Sequence, residues 1–154
     1  MNAMAELDRR VMAAKNDVLA ARQAIIEALQ SHITIRARSI VIDDAELAQE
    51  LDDRLNEAKE ALADAQSRRK RAHELMAQIR QHDIETLRRD VRWFGEIVRT
   101  GINHVMDGNR LRPTGEPISG KDRKSFQAQL DAAQGEMAEV ESLQRRLEIL
   151  ATAE

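Results

Sequence analysis

Apolar residues recur at every seventh position near the start of the chain, and this spacing predicts a long helix with a narrow seam. Met4, Val11, Val18 and Ile25 form one line, interleaved with Leu7, Ala14, Ala21 and Ala28. A large residue at one core position and alanine at the other lets helix axes approach closely. Helix is expected from about residue 3 to residue 30, roughly 40 Å at the usual rise per residue. Residues 33–42 break the pattern. Ile33, Ile35 and Ala37 alternate with polar neighbours, and Ile40-Val41-Ile42 follows. β-branched residues at period two predict a short strand-like insert, with a continuing helix as the competitor. The pair Asp43 and Glu46 then marks the start of a new helix.

The seven-residue spacing returns in a second segment, expected over about 44–82. Leu55, Leu62, Arg69 and Met76 alternate with Ala58, Ala65, Ala72 and Ile79. Arg69 lies on the seam itself, where an arginine is expected to fix register by facing a carboxylate or the seam's edge. Ile84, Leu87, Val91, Phe94, Val98 and Val105 follow a frame displaced by one residue. A kink or break is therefore expected at residues 81–83, with Asp83 as a cap and a third helix over 84–106. A last helix is expected over 120–152, opened by Ser119 and carrying Phe126, Leu130, Ala133, Met137 and Val140.

Glycine and proline reinforce this division. Neither occurs before Gly95, which leaves the first 94 residues without the strongest backbone punctuation. Asp107-Gly108-Asn109 is read as a turn, and Pro113 to Pro117 as part of a loop over 107–119. The expected fold is all-α: a single elongated domain with a long antiparallel coiled-coil hairpin, two further helices and the insert near 33–42.

Composition sharpens that picture. Of 154 residues, 33% are charged and 2% aromatic, the latter being Trp93, Phe94 and Phe126 alone. So few aromatic rings suit helices sharing seams better than a thick core. The thin core makes a homodimer the expected state. There is no cysteine, so disulfides and thiolate chemistry are excluded. No apolar run approaches the length of a membrane span, and the N-terminal residues lack the layout of a secretory signal. A cytoplasmic setting without membrane association is expected.

The net charge of −3 hides a strong asymmetry. Residues 1–67 carry −5, residues 68–124 carry +6 and residues 125–154 carry −4. Such a middle either pairs with acidic helices or offers phosphate contacts. Arg68, Arg69, Lys70, Arg71, Arg88, Arg89 and Arg92 are the candidate nucleic-acid contacts. No aromatic residue lies within 68–71 to stack on bases, which favours a solvated helix face or one paired with acidic helices.

Catalytic and cofactor motifs are weak. No histidine lies four residues from another, and none has glutamate three residues before it, so metal-binding helical pairs are missing. The glycines between 115 and 120 fail as a phosphate loop because Asp122 replaces the hydroxyl that binds magnesium. No cofactor is expected. Arg99 and His104, separated by four residues, resemble the short arginine–spacer–histidine motif of the HEPN family of all-helical ribonucleases. That resemblance covers those two positions alone. It implies phosphate binding by Arg99 and assistance of cleavage by His104. Arg68 and His73 share the same spacing.

The leading expectation is a non-catalytic coiled-coil interaction module: an adaptor, assembly factor or steric inhibitor. Its partners would be a second copy and another protein, met through Ile33, Ile35, Ile40, Ile42, Trp93, Arg110 and Arg112. Nucleic-acid association is the alternative, and a ribonuclease the third reading.

Overall fold

A computed structural model of the chain describes residues 2–31, 33–36 and 39–153, without the side chains of 33–36 and 39–41. Most of these residues are helical, in four helices separated by two antiparallel hairpins. In chain order the elements are α1 (Ala3–Ser31), β1 (Ile33–Arg36), β2 (Ser39–Ile42), α2 (Ala45–Arg80), α3 (Ile84–Thr100), β3 (Ile102–Asp107), β4 (Arg110–Pro117) and α4 (Gly120–Thr152). Contacts divide the chain into two compact units. One is Met1–Glu74 with Leu147–Glu154; the other is Leu75–Arg146.

Every helix start carries a side chain that accepts from an otherwise unpaired backbone N–H. Asn2 Oδ1 accepts from Met4 N at 3.0 Å, and Asp83 Oδ1 from Thr86 N at 3.1 Å. Ser119 Oγ accepts from Asp122 N at 3.1 Å. At α2 the sequence pointed to Asp43, but the cap is one residue later: Asp44 Oδ1 accepts from Leu47 N at 3.1 Å.

In the first unit, α1 buries Leu7, Val11, Ala14, Val18, Ala21 and Ala28, all on the expected seam. Leu7, Ala72 and Ala151 form a buried cluster, flanked by Ala3, Met4, Leu147 and Leu150. Two arginines close the end of α4 here. Arg10 Nη1 and Arg68 Nη1 donate to the carbonyl oxygen of Ala153, at 2.6 and 2.7 Å. Cationic groups at a helix C-terminus satisfy free carbonyls and oppose the negative end of the dipole. Arg69 Nη1 faces Asp8 Oδ1 at 3.6 Å, the carboxylate partner that its seam position called for. The insert forms the β1–β2 hairpin, with Ile33 paired to Ile42 and Ile35 to Ile40.

In the second unit, Leu87, Ala133 and Val140 form the buried cluster, flanked by Ile84, Val91 and Met137. Between α3 and α4 the structure corrects the expectation. The third helix ends at Thr100 rather than at residue 106, and residues 107–119 are not an irregular loop. Gly101 stops the helix with φ of 70°, its N–H donating to Ile97 O at 2.9 Å. This left-handed conformation is the usual helix ending that glycine adopts without a Cβ clash.

The backbone then turns into β3, which pairs with β4 through Val105 and Arg112, Met106 and Leu111, and Asp107 and Arg110. Gly108 and Asn109 make the two-residue connection. Pro113 and Pro117 sit within β4, on either side of an irregularity where Gly115 has φ of 80°. Thr114 Oγ1 donates to Asn103 O at 3.1 Å across that bulge. Proline and glycine thus mark a bulged edge strand here, a position that tolerates a missing N–H.

Two substitutions test these determinants. Leu7→Ala opens a cavity in a cluster otherwise built from small side chains, and is expected to cost about 2–5 kcal/mol in urea unfolding. Gly101→Ala forces a Cβ into the left-handed region. It is expected to cost about 1–2 kcal/mol in the same assay, with helicity retained.

Candidate functional site

A concavity within the second unit lies between the first turns of α3 and the turn joining β3 to β4. It is a groove of about 440 Å³, lined by Asp83, Glu85, Thr86, Arg88, Arg89, Arg92, Met106, Gly108 and Asn109. Arg88 and Arg92 are four residues apart and therefore share a face of α3. The hairpin supplies the opposite wall. Arg92 Nη1 donates to the backbone oxygen of Asn109 at 3.0 Å, tying the helix to the turn.

Trp93, the next residue of α3, ties the same two elements together. Its indole N–H donates to His104 O at 2.8 Å. Its ring stacks on Phe94 with centroids 5.8 Å apart, and Phe94 meets Phe126 at 5.9 Å. Trp93 is half-buried, and its polar edge is spent on holding the hairpin.

The acidic members of the groove differ. Asp83 accepts from both the backbone N–H and the hydroxyl of Thr86, the latter at 2.8 Å. These bonds hold its carboxyl below the ordinary value of 3.8. Among the described residues Glu85 has neither an ion pair nor a hydrogen bond from its side chain.

The basic residues of the sequence separate into two groups. Arg68 and Arg69 are engaged in packing, Arg68 with Asp64 at 2.9 Å as well as with Ala153. Lys70 and Arg71 are exposed on α2. Arg88, Arg89 and Arg92 come together around the groove, Arg89 reaching Asp90 at 3.3 Å. Arg110 and Arg112 lie exposed on β4 beyond the turn, with Arg112 at 4.0 Å from Asp107.

Arg99 and His104 do not form an open pair. Arg99 grips Glu96 through two bonds, at 3.1 and 2.6 Å. The hydrogen bonds to Arg99 lower the Glu96 carboxyl, and the same contact raises the guanidinium. His104 is on β3 rather than on a helix. It is 6% exposed, with Nδ1 at 2.9 Å from Ile102 O. Among the described residues no group of three histidine, aspartate or glutamate side chains is placed to hold a metal. No described helix is long and apolar enough to cross a membrane.

Of the apolar contacts expected in the insert, Ile42 is half-buried. The side chains of Ile33, Ile35 and Ile40 lie outside the described ones. A different apolar surface is present on α1. Met12, Leu19 and Ile26 are 58%, 61% and 48% exposed and recur at seven residues. The repeat was legible in the sequence, on the line beside the alanine-rich seam.

No family model matches the chain, and no curated protein or solved structure is significantly similar to it.

The Asp83 cap gives a pH-dependent test. A carboxylate held below its ordinary pKa stabilises the fold above the unfolded value and loses that effect as pH falls through the folded value. Asp83→Ala is expected to lower the melting temperature at neutral pH. The gap to the native chain should narrow below the ordinary carboxylate range. Thermal melts followed by circular dichroism from neutral to strongly acidic pH measure it, with Asp83→Asn retaining most of the cap.

Proposed function

We propose that the protein is a non-catalytic helical interaction module that assembles with a second copy of itself. The observation carrying this reading is the exposed line of Met12, Leu19 and Ile26 on α1. A helix that already buries one seam gains nothing internally from a second apolar line. At seven-residue spacing such a line matches the knobs of a coiled-coil partner.

The line is also compatible with its own copy. Met12 and Ile26 each lie seven residues from Leu19. An antiparallel arrangement about a two-fold axis at Leu19 sets Met12 of one copy against Ile26 of the other. Self-complementarity of this kind is what a two-fold interface requires. The exposed Ala13 and Ala20 beside the line allow close approach of the helices.

The finer architecture belongs to the same reading. Leu7 of α1 packs on Ala72 of α2, and the expected α2 seam residues are all buried or half-buried. Both features support a coiled-coil hairpin between the two helices. The chemistry of the histidines and arginines does not favour an enzyme. The HEPN-like pair is divided between a bidentate contact to Glu96 and a buried ring.

Multi-angle light scattering over a concentration series tests the assembly. The native chain is expected to form a dimer, and Leu19→Lys a monomer with unchanged helicity. A monomeric native chain at all concentrations, or a variant that still dimerises, overturns the reading.

A further inference from the structure

We propose that the arginine groove between α3 and the β3–β4 turn binds an acidic segment of a partner protein, with carboxylates held by Arg88 and Arg92. This deepens the interaction-module reading by naming a second surface and the chemistry of its partner. The groove and the α1 line share no residue, so the two assemblies can fail separately.

The positive charge in the groove is only partly neutralised. Among the described residues Arg88 makes neither a hydrogen bond nor an ion pair. Arg92 uses one nitrogen on Asn109 O, and its remaining N–H groups have no described partner. That single bond anchors the guanidinium without consuming its charge. A fork held at one corner loses less freedom on binding a carboxylate than a free side chain does. Asp83 keeps its negative charge and acts on Arg89, but its oxygens accept from Thr86 and it forms no ion pair with Arg88 or Arg92. Glu85 and Asp83 are the two acids of the lining, beside three arginines.

Guanidinium groups take carboxylates through paired N–H donors, which gives direction as well as charge. Met106 adds an apolar surface to the lining, suited to an apolar side chain between acidic ones. A nucleic-acid strand is the poorer fit. No aromatic ring lines the groove for base stacking. Arg68 and Arg69, the first arginines of the basic stretch, are themselves engaged with Asp64, Ala153 and Asp8. A space of about 440 Å³ suits a few side chains rather than a duplex.

The test uses the full chain and a fluorescent hexaglutamate peptide, with a hexaglutamine peptide and a single-stranded oligonucleotide of equal charge as comparisons. Anisotropy is expected to show binding of the glutamate peptide that weakens as salt rises. Arg88→Gln with Arg92→Gln is expected to weaken it about tenfold or more, as loss of charge-assisted bonds implies. Lys70→Gln with Arg71→Gln, on the exposed face of α2, should leave it unchanged. Circular dichroism confirms that each variant keeps its helicity, and Arg88→Gln alone serves if the double variant unfolds. Absence of glutamate binding overturns the proposal. So does binding that ignores both groove arginines, or tighter binding of the oligonucleotide through the same arginines. Light scattering on the Arg88 variant reads the α1 assembly separately.

Discussion

Close contact across alanine-lined seams is the constraint on which this structure depends. Six of the sixteen buried apolar residues among those described are alanine: Ala14, Ala21, Ala28, Ala72, Ala133 and Ala151. Alanine contributes little transfer free energy of its own, but it lets neighbouring helices come near enough for larger side chains to make full contact. Leu7 and Val140 are almost completely covered for that reason, each in a cluster with alanine. The chain has three aromatic residues and none is fully buried. Stability therefore rests on the regularity of the seams, and each helix start is capped by a side chain placed for it.

This dependence explains which parts of the fold were legible. Seven-residue spacing encodes a helix and its buried line at once, so α1, α2 and α4 followed directly from the order of the residues. Asp83 and Ser119 were readable because a cap is a local contact over three residues. The stretch from Gly101 to Pro117 was not. Glycine and proline stop a helix, but the same residues serve in loops and in bulged edge strands. The apolar frame also continued to Val105, which made the helix look longer than it is. Only the pairing with β4, a non-local event, turns residues 102–107 into a strand.

The candidate site was half legible for the same reason. A run of basic residues is visible in any sequence, but its division into engaged and available groups is set by tertiary partners. Arg68 and Arg69 meet carboxylates and a helix-end carbonyl, while Arg92 meets a turn whose backbone supplies one acceptor and Arg88 beside it makes no such bond. Trp93 stood out as the largest apolar side chain, and in the fold it ties α3 to β3. The acceptor for its indole, the carbonyl of His104, is 11 residues away on a strand that local pattern did not reveal. The exposed line of α1 carried a clear repeat, masked by the stronger one beside it.

The β3–β4 excursion is closed at its root. Gly101 receives a backbone bond from Ile118 at 3.0 Å, and Arg123 at the start of α4 reaches back to Val98 O at 2.8 Å. Departure and return of the chain are therefore fastened independently of what lies between them. Beyond the bulge, among the described residues, α3 hydrogen-bonds only to backbone oxygens of the hairpin, those of His104 and Asn109, so side chains there can be exchanged without removing these bonds. Descendants of such a chain can acquire new selectivity by grafting a different fingertip, leaving the palm that carries it unaltered.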